Sequence, residues 1–175
     1  TLAQGLVLQT FSRTSIRVFP STTSYGPVLL SDSRAKLFGP AGMGGTALLG
    51  GDPTKDSLTI AGVSDVIVDG FDITTGRFGV YCFPAPNKLT LRRSRVRDAV
   101  NVGMYIGGCS LVIDRSIFTA NRDGAMQIDS VPDYVLTNNM IVRNSSSAYP
   151  AIRISGNSVG SFRFNTVADN ITKSG

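Results

Sequence analysis

Leu111-Val112-Ile113-Asp114-Arg115-Ser116-Ile117-Phe118, and then Tyr134-Val135-Leu136-Thr137-Asn138-Asn139-Met140-Ile141 one interval later, decide the fold of this chain. The same beginning recurs as Val66-Ile67-Val68, Leu89-Thr90-Leu91 and Gly160-Ser161-Phe162, so the five starts lie 23, 22, 23 and 26 residues apart. Seven positions after each start stands an apolar residue: Ile73, Val96, Phe118, Ile141 and Val167. Three positions further, the last three repeats carry Asn121, Asn144 and Asn170. A period of this length marks a solenoid in which each repeat is one coil stacked on its neighbours.

Outward from these repeats, the pattern is short strands between turns. Ile16–Val18, Val28–Leu30, Lys36–Phe38, Ala47–Leu49 and Leu58–Ile60 alternate with Pro20, Gly39-Pro40, Gly50-Gly51 and Asp52-Pro53. Ser21–Tyr25 and Gly50–Ser57 read as loops leaving the stack. Each later coil holds a second strand: Gly79–Cys82, Gly103–Ile106, Ala125–Ile128 and Ala151–Ile154. Alternation turns Val80/Cys82, Met104/Ile106, Met126/Ile128 and Ile152/Ile154 inward. Such strands, one per repeat, form a coil of parallel strands stacked about 4.8 Å apart. Thr1–Phe11 reads as a short helix, with Leu2, Leu6 and Phe11 on one stripe, placed to cap the open end of the stack. The expected organisation is one domain over 1–175: cap helix 1–12, irregular first coils 13–62 and regular coils 63–175.

Composition prunes the chemistry. The chain has 175 residues and a net charge of +5, but no His, no Glu and no Trp. Without His, a Ser-His or Cys-His nucleophile and an imidazole zinc site are excluded. No stretch of 18 apolar residues spans a membrane. Cys82 and Cys109 fall on successive coils with Cα atoms roughly 8 Å or more apart, beyond a disulfide. Arg92, Arg93, Arg95 and Arg97 cluster, but Asp98 and Asp114 lie nearby and no aromatics interleave, so cross-strand ion pairs are expected rather than a nucleic-acid partner. No metal and no cofactor are expected.

Two features carry a resemblance. Ile16-Arg17-Val18-Phe19-Pro20, followed by Tyr25-Gly26-Pro27-Val28, is similar to an opening found in the pectin-lyase-like superfamily, with Ser21 where Gly is usual. Leu136–Asn144 and Phe162–Asn170 resemble the generic parallel β-helix repeat. The resemblance implies an all-β fold, a right-handed parallel β-helix, and an extracellular or cell-surface location. The chain stops at Lys173-Ser174-Gly175 with no capping pattern, from which a fragment of a longer solenoid is expected. An uncapped end would favour edge-to-edge self-association.

The superfamily's enzymes are not matched. Polygalacturonase-like members pair Asp residues with a His, which is lacking here. The Arg-x-Pro-x-x-Arg and Trp-Ile-Asp-His motifs of pectate-lyase-like members are lacking too. Gln127, Asp129 and Arg153 echo the pectinesterase-like set without its surrounding motifs.

The candidate ligand-binding residues are therefore an outward ladder, Tyr81, Tyr105, Gln127 and Arg153, with Asp129 one outward step on. Tyrosine rings offer apolar faces with polar tips, and Arg and Asp grip hydroxyls or carboxylates. A second ladder, Asp69, Arg92, Asp114, Thr137 and Arg163, alternates in sign as ion pairing would select. The Asn121/Asn144/Asn170 column reads as turn structure, tolerant of left-handed geometry and hydrogen-bonded along the stack. Three functions stay open: a polysaccharide-binding face, a passive structural or adhesion module, and a truncated carbohydrate-active enzyme of unknown catalytic residues.

Overall fold

The computed structural model describes residues 15–31, 33–40, 46–83, 88–146 and 149–172. The helix read over 1–12 and most of the glycine-rich stretch 39–45 lie outside these residues. The described part is a β-solenoid with three main strands per coil rather than the two read from the sequence, and Ser145–Ser146 pairs with Ile171–Thr172 as a short fourth sheet in the last coils. The first sheet stacks Ser15–Arg17, Lys36–Phe38, Val66–Asp69, Lys88–Arg92, Ser110–Asp114, Tyr134–Thr137 and Gly160–Arg163. The second stacks Leu48–Gly50, Asp72–Thr74, Arg95–Arg97, Ile117–Thr119, Met140–Val142 and Thr166–Ala168. The third stacks Val28–Leu30, Leu58–Ile60, Val80–Cys82, Met104–Gly107, Met126–Asp129 and Ile152–Ser155. All their pairings are parallel.

Like residues stack on like along the axis. Leu37, Val68, Leu91, Ile113 and Leu136 form one inward column, and Leu49, Ile73, Val96, Phe118 and Ile141 another. The third sheet sends in Val80/Cys82, Met104/Ile106 and Met126/Ile128, as alternation requires. These side chains are almost fully excluded from water. Burying each aliphatic one stabilises by about 1.5–3 kcal/mol. An exposed ion pair gives at most about 1 kcal/mol, so the columns and not the surface charges hold the coil closed. Cys82 and Cys109 are both buried thiols.

Two residues separate the first-sheet strand from the second-sheet strand in every coil from Gly70-Phe71 onward. So short a corner needs a left-handed residue, and Gly70, Arg93, Arg115, Asn138 and Phe164 all have positive φ. The next residue sits inward and ties the corners together. Ser116 donates its backbone N–H to Asn139 Oδ1 (2.9 Å), and Asn139 Nδ2 donates to Asn165 Oδ1 (3.0 Å). A second amide column, Asn121–Asn144–Asn170, closes the far end of the second sheet with bonds of 2.8 and 2.9 Å. There the left-handed residue is not the Asn, as the sequence suggested, but its predecessor: Ala120, Arg143 and Asp169. The Asn side chain needs its ordinary backbone conformation to point into the stack. Ser21–Tyr25 also differs from the reading as a departing loop. Ser21 and Tyr25 donate backbone N–H groups to Thr46 and Leu48 carbonyls, each at 2.9 Å, so this stretch lies along the solenoid.

Candidate functional site

The third sheet presents its outward residues in strict register. Thr59, Tyr81, Tyr105, Gln127 and Arg153 follow one another on five coils. Gly107, Asp129 and Ser155 form the next outward column. All five sequence-predicted residues therefore share one face. Neighbouring coils lie about 4.8 Å apart, close enough for rings to stack. The Tyr81 and Tyr105 rings do so, with centroids 5.5 Å apart and planes 15° apart.

Two further aromatics widen this surface. Phe78 lies 5.5 Å from Tyr81 and 5.8 Å from Tyr105, and Phe83 lies 6.5 Å from Tyr81. Phe83 is about half exposed and leans over Gly107, where a Cβ would come within 2.7 Å of its ring. The glycine makes room for the ring. Phe83 stands two residues after Tyr81, but the strand ends at Cys82, so alternation gives no signal for it. Phe78 precedes the strand and carries no periodic signal. Arg77 stacks on Phe78 at 5.3 Å and is held by a two-point pair with Asp56, at 2.9 and 3.0 Å.

The other end of the face is polar. Arg153 stacks on Tyr149 at 5.1 Å. Asp129 accepts hydrogen bonds from Ser155 Oγ (3.1 Å) and Ser130 Oγ (3.3 Å). Burial raises the Tyr105 hydroxyl above its ordinary pKa, and the Asp129 carboxylate and Tyr81 add to this. Tyr105 thus stays a neutral donor at any physiological pH. The two outward columns contain one carboxylate, Asp129, so they hold no acid–base carboxyl pair. The arrangement is a flat apolar platform beside hydrogen-bonding groups.

The first sheet's outward ladder is tied by charge, as its alternating signs implied. Asp69 is buried and accepts from Arg92 Nε (2.8 Å) and Arg93 Nε (2.8 Å). Burial alone would push its carboxyl up; the bonds from Arg93 and Arg92 outweigh this and hold it below the usual carboxylate range. Asp114 pairs with its neighbour Arg115 (2.7 Å) instead of with Arg92. Its carboxyl is lowered first by the Asn138 amide, against an opposing burial effect, with help from Arg115 and Thr137. Arg97 takes both oxygens of Asp72, at 2.9 and 3.2 Å. The arginine cluster is thus largely consumed by structural ion pairs.

Comparison with known proteins agrees with this geometry. The family described as "Right handed beta helix region" matches residues 52–174. The chain belongs to the right-handed β-helix family. The match begins at the loop before Leu58–Ile60 and takes in every coil that carries the aromatic platform. No curated protein and no solved structure matches this right-handed β-helix. Among the described residues, no helix is long and apolar enough to cross a membrane.

Proposed function

We propose that this right-handed β-helix is an extracellular or cell-surface carbohydrate-binding domain that lays a polysaccharide strand along its third sheet. The observation that carries the reading is the parallel Tyr81–Tyr105 pair, extended by Phe78 and Phe83 and followed by Gln127, Asp129 and Arg153. Pyranose rings have an apolar face that packs on aromatic rings and a rim of hydroxyls that needs donors and acceptors. Both are present on one continuous strip, in the order apolar then polar.

Calorimetric titration with a panel of neutral and acidic oligosaccharides tests the reading. At least one glycan should bind, and Tyr105→Ala should weaken it about tenfold or more, the usual effect of truncating a central aromatic anchor. Thr90→Ala, on the outward face of the first sheet, should leave binding unchanged. No saturable binding, or equal binding by Tyr105→Ala, would leave the passive structural module as the better account. New reducing ends or unsaturated products on incubation with the same glycans would point to a carbohydrate-active enzyme instead.

A further inference from the structure

A concave surface lies at the two-residue corner between the first and second sheets, away from the flat aromatic platform. It is a groove of about 400 Å³ whose walls include Phe71, Asp72, Arg93, Arg95, Arg115 and Ile117. Arg93 and Arg115 occupy the same left-handed corner position on successive coils, so their Cα atoms lie about 4.8 Å apart. Arg95 projects outward two residues beyond Arg93, in register between Asp72 and Ile117.

The local carboxylates are already taken. Asp72 gives both oxygens to Arg97 on the next coil, and Asp69 is saturated by Arg92 and Arg93. Arg115 commits its Nε to Asp114. A guanidinium carries five N–H donors, so Arg93 and Arg115 retain donors after these pairs form. The Arg95 side chain is exposed and has no hydrogen-bond or ion-pair partner among the described residues; its backbone N–H donates to the Phe71 carbonyl at 2.8 Å. Three guanidiniums from two coils thus line one groove with unspent donors and one unneutralised charge.

We propose that this groove binds a tetrahedral oxyanion, sulfate or phosphate, with Arg95 as its main contact and Arg93 and Arg115 flanking it. Guanidinium forks match oxyanions by paired charge-assisted hydrogen bonds, and three of them outnumber what a planar carboxylate's two oxygens take up. The half-buried Ile117 gives an apolar wall beside the charge, so the anion is free or borne as an ester on a small sugar-sized group. The site is independent of the glycan face.

The test is titration of the whole chain, by calorimetry at low salt, with sodium sulfate, inorganic phosphate, glucose 6-sulfate, and glucose as the uncharged control. Saturable binding of an anionic probe is expected, weakened about tenfold or more by Arg95→Gln and progressively by added NaCl. Arg122→Gln, outside the groove, should bind like the parent. Arg95 supports no structural pair, so circular dichroism melting of Arg95→Gln should match the parent. Tighter binding of the sugar sulfate than of the inorganic ions identifies an esterified ligand; equal binding identifies a free anion. Absence of saturable binding by all three anions, equal binding of glucose, or unchanged affinity in Arg95→Gln overturns the proposal.

Discussion

Asn144→Ala removes the centre of the longer amide column, and the structure sets its cost. Asn144 is buried at 1% exposure. Its Nδ2 donates to the Phe118 carbonyl (3.0 Å), the Val142 carbonyl (3.2 Å) and Asn170 Oδ1 (2.9 Å). Its Oδ1 accepts from the Asn121 backbone N–H (3.2 Å) and from Asn121 Nδ2 (2.8 Å). Alanine deletes all of these and strands the Asn121 N–H inside the stack. Each lost bond costs about 1 kcal/mol and a buried orphan costs about 1–3 kcal/mol. Plain addition overshoots, because the two N–H groups of one amide share three acceptors and the stranded N–H is itself one of the lost bonds; a loss of about 3–5 kcal/mol is expected, a large share of the roughly 5–15 kcal/mol that holds a typical domain folded. Asn170→Ala is the internal comparison. Asn170 is half-buried, donates only to the Ile141 carbonyl (2.8 Å), and serves Asn144 alone. About 1–2 kcal/mol should be lost there. Urea unfolding followed by circular dichroism measures both, with the slope used to confirm that the same surface is exposed. Equal losses for the two variants, or less than about 1 kcal/mol for Asn144→Ala, would refute the claim that the column is a cooperative structural tie.

Acid should weaken the domain through Asp69 and Asp114. Both carboxyls titrate below the ordinary value in the folded state. Their contribution is therefore complete above the unfolded value of about 3.9 and is lost as pH falls from there through the lower folded values. Urea midpoints at pH 7 and pH 3 should show the parent and Asp69→Asn well apart at the first and closer at the second; a constant gap would contradict the assignment. Gly79→Ala should cost about 1–3 kcal/mol as an overpacked site, because its Cβ would meet the Gly103 carbonyl oxygen and Val96 Cγ1, each at 2.5 Å. Gly62→Ala has open space around it and only a positive φ to suffer, so it should lose about 1–2 kcal/mol. Thermal unfolding ranks the pair, and a neutral Gly79→Ala would show that the corner gives way freely.

The solenoid was legible because its period repeats whole coils, so that Val68, Leu91, Ile113 and Leu136 align without help from local propensity. The extra strand that each coil adds to the second sheet was not. Members such as Arg95–Arg97 are three residues long with one inward side chain each, which is too little alternation to separate a strand from the turn beside it. The Ser94–Ser116–Asn139–Asn165 column escaped notice for a different reason. It mixes hydroxyls with amides, and the shared property is a side-chain oxygen accepting a backbone N–H, not a residue type. Of the candidate site, the register of Tyr81, Tyr105, Gln127, Asp129 and Arg153 followed from alternation alone. The contributions of Phe78, Phe83 and Tyr149 did not, since each lies outside a strand and is brought in by the path of a turn.

The corners differ in a way that constrains how such a chain can change. From Gly70-Phe71 onward the first-to-second corner holds two residues in each coil, whereas the second-to-third connection ranges from Thr75–Gly79 to the longer Arg143–Ala151. The strands on either side stay in step regardless. The molecule can thus widen its circumference at one corner without altering its pitch. Insertions at that corner enlarge the rim of the aromatic face, as Tyr149 already does, while the arginine-lined corner keeps two residues through five successive coils.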